Sequence, residues 1–144
     1  MSGAVTVQSV TRVTPALVDG LQRLLPQLSA APAPDAARIE ELVGSASSTV
    51  VVAHTDGELL GVLVLAVFPT LTGRRAWIED VVVDESARGQ GVGAALVREA
   101  LRLAADAGVR SVELTSRPSR AAANRLYQRL GFEPRETTVY RFTG

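Results

Sequence analysis

A chain of 144 residues that is 47% hydrophobic and 21% charged fits a single domain, residues 1–144, around one modest core; it is too apolar for a disordered polymer and too interrupted by polar residues for a membrane protein. Fifteen basic residues balance fifteen acidic ones, which argues against a bulk nucleic-acid binder, and the absence of cysteine excludes disulfides, thiolate-ligated metals and a thiol nucleophile. Every cation is an arginine, so a Schiff-base lysine and a Walker-type phosphate lysine are excluded and arginine must handle any phosphate.

The opening Met1-Ser2-Gly3-Ala4-Val5 has no basic segment ahead of an apolar run, and no stretch reaches the roughly 18 to 20 apolar residues of a span, so a cytoplasmic protein without a membrane partner is expected. Val5 to Arg12 alternates loosely and predicts a strand. From Pro15 to Leu28, Leu17, Leu21, Leu24, Leu25 and Leu28 recur at helical spacing, with Pro15 suited to the helix start. After the linker Ser29–Pro34, Asp35 to Val43 predicts a second helix ended by Gly44. Thr49–Ala53 and Glu58–Phe68 flank His54-Thr55-Asp56-Gly57 and predict a hairpin with Asp-Gly turn chemistry, its apolar run closed by Pro69.

Pro69 to Arg75 has the composition of a loop. Trp77 to Val83 predicts a strand, and Gly91 to Ala107 a long helix with Val92, Leu96, Ala100, Leu103 and Ala107 on one face and Gly108 as its stop. Val109 to Thr115 predicts a strand, Ala121 to Leu130 a helix, and Thr137 to Phe142 a final strand. A helix between the Trp77 and Val109 strands implies parallel neighbours with a right-handed crossover. The zero net charge is uneven: residues 1–72 hold three arginines against six acids, and the remainder carries the compensating excess of arginine.

Between a strand and the long helix lies Arg88-Gly89-Gln90-Gly91-Val92-Gly93-Ala94. Its glycines let the backbone approach a ligand while free N–H groups of the first helical turn point outward, and Arg88 adds a fork suited to a pyrophosphate oxygen; this is phosphate-site geometry. Taken alone the run would be a flexible turn, and the flanking strand, helix and arginine reverse that preference. A dinucleotide site is the runner-up, since Glu113 follows at about the spacing of a ribose-binding acid. Against it, Asp84–Arg88 separates the strand from the first glycine.

Three stretches agree in order and spacing with one family: Val81 through Gly93, Ser111-Val112-Glu113-Leu114-Thr115, and Asn124 through Phe132. Through them the chain resembles the GNAT superfamily of acyl-CoA-dependent N-acetyltransferases, over roughly Leu59 to Phe142. The resemblance implies an α/β (α+β) fold, a mixed and largely antiparallel twisted sheet flanked by helices, with a V-shaped splay between two parallel central strands. It implies acetyl-CoA as cofactor, with Val81, Val82 and Val83 pairing to its pantetheine arm like an added strand. Arg88, Gly89, Gln90, Gly91, Val92, Gly93 and Ala94 would wrap the pyrophosphate, Asn124 would bond the cofactor chain, and Tyr127 would act as general acid for the departing thiolate.

Acyl transfer to an amine needs a neutral nucleophile, a base or water chain, oxyanion stabilisation and a proton for sulfur. With no cysteine, direct attack in a ternary complex is favoured over an acyl-enzyme. Adjacent strand residues Glu79 and Asp80 point to opposite faces, so one of them faces the amine; Glu79 ranks first, acting directly or through water, and Asp80 second. The bland role of Tyr127 is a core position beside Ala123, Leu126 and Leu130, and of both acids a solvated or paired carboxylate. His54 is a surface residue, and no metal site is expected.

The expected reaction is acetyl transfer to a primary amine of a small metabolite, a preference drawn from the compact Pro69–Arg75 loop and from the lack of a charged run in the first half. Rivals are a protein N-acetyltransferase acting on an N-terminus or lysine, a non-catalytic acyl-CoA-binding regulatory module and, last, a nicotinamide enzyme. A homodimer suits a small apolar enzyme.

Overall fold

The computed structural model describes residues 4–144. In chain order the elements are β1 Thr6–Ser9, α1 Pro15–Leu24, α2 Ala36–Val43, β2 Ser48–Thr55, β3 Glu58–Thr70, β4 Gly73–Val83, α3 Val92–Asp106, β5 Val112–Glu113 and α4 Ala121–Arg129, with 3₁₀ turns at Leu25–Gln27 and Glu85–Ala87. The sheet order is β1-β2-β3-β4-β5, antiparallel throughout except for the parallel β4–β5 pair. This is the expected mixed, mostly antiparallel sheet flanked by helices.

The unbroken apolar run in β3 reflects burial on both faces. On one face Leu21 and Leu24 of α1 and Ile39 of α2 cover Val50, Val52, Leu59, Val62, Val64 and Val82. On the other, Val92, Leu96, Val97, Ala100 and Ala104 of α3 join Tyr127 of α4 over Val51, Ala53, Leu60, Leu63, Leu65, Ala76 and Ile78. Gly61 lets α3 approach: a Cβ there would lie 3.0 Å from Leu96 Cδ1 and 3.1 Å from the Val82 carbonyl oxygen. The β2–β3 turn has φ 49° at Asp56 and 78° at Gly57, the paired positive angles of a two-residue type I′ hairpin.

Five expectations need correction. The single helix Pro15–Leu28 ends at Leu24 and continues as the 3₁₀ turn, because Pro26 has no N–H for another α-helical bond. Pro69–Arg75 is not a loop: β3 runs to Thr70, β4 starts at Gly73, and Leu71-Thr72 is the turn between them. Pro69 is tolerated because β2 stops opposite Ala66, leaving β3 an edge strand there. The first strand contracts from Val5–Arg12 to Thr6–Ser9, and Val109–Thr115 contracts to Val112–Glu113 because β4 diverges from it. Thr137–Phe142 is not a strand; residues 133–144 are exposed without regular structure, and strand propensity has no effect without a neighbour to pair with.

Gly61→Ala should destabilise the fold by about 1–3 kcal/mol, since one of the two close neighbours is a backbone oxygen that cannot swing aside. Urea unfolding should report a lower midpoint at unchanged m-value; a midpoint equal to that of the parent chain would show that β3 and α3 separate freely.

Candidate active site

The β3–β4 ladder aligns Val64 with Glu79 and Val62 with Val82, so Asp80 and Val81 stand opposite Leu63 alone and β4 carries one extra residue. Asp80 takes φ 56°, the left-handed region that aspartate tolerates better than most side chains. β5 meets β4 only at Ala76 and Trp77. Beyond Trp77 the two parallel strands splay, and the β5-side edge of β4 has no strand beside it. Val81, Val82 and Val83 on that edge line a cleft of about 790 Å³, with Arg88, Gly89 and Gly91–Ala94 along one wall and Ala121–Ala123, Leu126 and Tyr127 along another.

The glycines of the loop divide their work. Gly89 and Gly91 have φ 77° and 81°, with open space where a Cβ would sit, and Gly91 turns the chain into α3 without a side-chain cap. Gly93 serves packing instead: a Cβ there would meet Leu126 Cδ2 at 3.1 Å, so its absence lets α4 close on α3. The first capping bond of α3 runs from Ala95 N–H to Gly91 O at 3.0 Å, and residues 88–91 form the turn that leads into the helix N-terminus. Gly89 and the N-terminus of α3 at Gly91–Ala94 line the cleft, and the free N–H groups of a first helical turn favour an anion there. Arg88 lines the cleft while its Nε–H donates to Val83 O at 3.2 Å. The Gln90 side chain lies outside the lining and donates to Ser86 O at 3.2 Å.

Asp84 mounts this loop on the rest of the molecule. It is the one charged side chain buried among the described residues. Arg23 Nη1 donates to its Oδ1 at 2.8 Å while Arg23 Nη2 donates to Leu59 O at 2.6 Å, and Gln27 Nε2 donates to the same Oδ1 at 2.9 Å. Ser86 donates to Oδ2 through both its hydroxyl and its N–H, and Glu85 N–H donates to Gln27 Oε1 at 3.1 Å. These bonds, led by the Ser86 hydroxyl and then Gln27, outweigh burial and hold the Asp84 carboxyl down to about 2. Sequence reasoning treats Asp84–Arg88 as a spacer and misses this cluster. Its local signal was an acid two residues ahead of a serine, the pattern of a side-chain cap; Arg23 and Gln27 offered none.

Tyr127 is buried yet lines the cleft, its ring edge-on to Phe132 with centroids 5.8 Å apart. Burial raises the phenol above its usual pKa, with Arg120 opposing. Asn124, on the same helix, is outside the cleft lining, and its Nδ2 donates to Arg117 O at 3.0 Å. Glu79 and Asp80 are exposed and sit at the bulge, just before the cleft-lining segment of β4. Glu79 shares the face of Val64, which α1 and α2 cover, and the left-handed turn at Asp80 breaks the simple alternation expected of the two. Arg120, Arg125 and Arg129 also line the cleft. His54 lies instead in a separate groove of about 470 Å³ beside Arg12 and Thr14. No cluster of metal-binding side chains occurs among the described residues, and no helix is long and apolar enough to cross a membrane.

The profile of the Acetyltransferase (GNAT) family matches residues 16–132. N-acetyltransferase 8B of Homo sapiens is 42% identical over 65 residues, which are 45% of this chain and 29% of that protein, so the matched region spans under a third of that relative's length. A crystal structure of a transcriptional regulator from Bacillus halodurans superimposes with TM-score 0.82 at 26% identity, covering 97% of this chain and 100% of that one. An aminoglycoside acetyltransferase from an uncultured soil metagenomic sample, solved with sisomicin, superimposes with TM-score 0.84 at 18% identity over 97% of this chain and 95% of that one; it speaks to the fold alone.

Because the folded pKa of Asp84 is about 2 against an ordinary 3.8, the stability it contributes is complete above about pH 4 and is lost as pH falls toward 2. Asp84→Asn should lower stability at neutral pH and flatten its acid dependence. Urea midpoints at pH 5 and pH 2.5 should therefore converge between variant and parent at the lower pH; a gap that does not narrow would mean that the carboxylate charge is not what holds the cluster.

Proposed function

The chain belongs to the GNAT acetyltransferase family, and from that premise we propose that it transfers the acetyl group of acetyl-CoA to a primary amine of a small molecule, the amine attacking directly while both substrates are bound. The observation that carries this reading is the convergence on one cleft of three features: the strand edge Val81–Val83 without a neighbour, the glycine-rich turn that leads into the N-terminus of α3, and the buried Tyr127. Acetyl-CoA supplies the activated acyl group and a thiolate leaving group when bound. The edge of β4 suits an amide-bearing chain that pairs with it as a strand would. The loop donors, together with Arg88, Arg120, Arg125 and Arg129, suit phosphates. Asn124 holds the loop before α4 by donating to Arg117 O.

Tyr127 is the proton donor for sulfur. Burial raises the phenol pKa, which keeps it protonated throughout the neutral range, and the same desolvation raises the basicity of a thiolate formed beside it. Glu79 and Asp80 are the candidates to take the amine proton, directly or through water, with Glu79 first. Their exposed carboxylates at the bulge also favour the approach of an ammonium. A small acceptor is preferred because residues 1–72 offer no charged run to track a polymer; the Pro69–Arg75 segment, being a hairpin tip, no longer supports that choice.

One observation favours a second reading, a non-catalytic acyl-CoA-binding regulator: the Bacillus halodurans chain is described as a transcriptional regulator. An amine panel assayed for released CoA thiol separates the two. Transfer to at least one amine is expected, whereas acetyl-CoA binding without thiol release for any amine would select the regulator.

On a proven substrate, Tyr127→Phe should lower kcat by about 10²-fold or more with little change in KM for acetyl-CoA. Unchanged turnover would remove the acid role. Glu79→Gln should lower kcat/KM most at pH values where the amine is largely protonated, and an unaltered pH profile would pass the base role to Asp80 or water.

A further inference from the structure

The groove that holds His54 shares no lining residue with the cleft of the candidate active site. It lies on the face of the sheet that α1 covers, at the start of that helix. Cross-strand pairing builds its floor: Gln8 on β1 stands opposite Val52 on β2, and His54 on β2 stands opposite Leu59 on β3. The first turn of α1 and the link from β1, which carries Arg12, supply the remaining lining.

The groove is chemically divided. Val10, Leu17, Val52 and Leu59 belong to the apolar cluster beneath α1, so the floor offers hydrocarbon contact. Arg12 is the lining residue with a permanent charge, and among the described residues no carboxylate lines the groove. Residues 1–72 hold six acids against three arginines, yet Arg12 forms no ion pair among the described residues, whereas Arg23 is bound to Asp84. The Thr14 hydroxyl is committed, accepting from Leu17 N–H at 3.2 Å. The side chains of Arg12 and His54 enter no hydrogen bond among the described residues, so a guanidinium fork and an imidazole remain available at the mouth of an apolar trough.

A volume of about 470 Å³ falls within the range of small-molecule sites, about 300–1,000 Å³. A planar guanidinium matches a carboxylate through two parallel hydrogen bonds, and an apolar floor adds contact only for a molecule with a hydrocarbon part. We propose that the groove binds a small organic carboxylate, its anionic end on Arg12 with His54 as a further polar contact, and its hydrocarbon end over Leu17, Val52 and Leu59. A bare inorganic anion would leave the floor unused, and a cation would meet Arg12 as a like charge.

His54 is the chain's one histidine, so the imidazole Hε1 signal of the untagged chain is a single reporter in proton NMR. At constant pH, phenylacetate should shift that signal in a saturable way at millimolar concentrations. Acetate should bind about tenfold more weakly, having no ring to lay on the floor, and neutral phenylacetamide should leave the signal in place. Arg12→Ala and Arg12→Gln, at an exposed position, should both keep the parent circular dichroism spectrum and weaken phenylacetate by about tenfold or more. Saturating CoA should leave the titration unchanged, because the two cavities have no residue in common. The proposal is overturned by the lack of a saturable shift, by an equal response to phenylacetamide or acetate, by undiminished binding to both Arg12 variants, or by displacement with CoA, which would put the probe in the cleft. Each readout is a binding shift, so it stands whether or not acetyl transfer is found.

Discussion

The extra residue in β4 is the constraint on which the architecture turns. With Asp80 and Val81 set against Leu63 alone, β4 bends at the point where it would otherwise continue beside β5. The two strands share only Ala76 and Trp77 with their partners before they separate. Backbone groups left without a neighbour must find water, a ligand or another chain, and the strand end Val81–Val83 is left in that state beside a cleft rather than at the rim of the sheet. The loop and α3 follow directly from where that strand stops.

The loop after β4 is open on the cleft side and anchored on the other. Gly89 and Gly91 line the cleft, whereas Asp84 and Ala87 fix the back of the loop: Ala87 is buried in the core cluster and Asp84 gathers Arg23, Gln27 and Ser86. Arg23 spans further by binding Leu59 O, so α1, the start of β3 and the loop meet at one guanidinium. A ligand held by backbone N–H groups is held only as firmly as the backbone itself. The cluster supplies that firmness from the face of the sheet opposite α3, where α1 packs.

Much of this was legible from sequence because the signals are local. Asp56-Gly57 specifies its turn by the conformations those two residues accept, and the spacing of Val92, Leu96 and Ala100 specifies the buried face of α3. What was not legible depends on partners distant in the chain. Pro69 reads as a terminator unless it is known that β2 has already ended, and Asp80 gives no sign that it will be the bulged residue. The Arg23–Asp84 pair joins positions 61 apart. For Thr137–Phe142 composition was informative about propensity and silent about whether one chain provides a neighbour. At the candidate site Gly89, Gly91–Ala94 and Tyr127 line the cleft, residues singled out by type and order, while Asn124 and Gln90 turn their side chains to the protein.

The arginines that line the cleft have a chemical consequence beyond their charge. Arg88, Arg120, Arg125 and Arg129 line the cleft proposed to hold an acyl thioester by its phosphates, and in place of any of them a lysine would present an amine that can lose its proton and attack. Guanidinium stays protonated and is a poor nucleophile across the working pH range. With no lysine anywhere in the 144 residues, the chain has no ε-amino group to be consumed by the reagent it holds. Its positive wall is chemically inert toward acyl donors, so repeated turnover would not erode the charges that bind the next molecule.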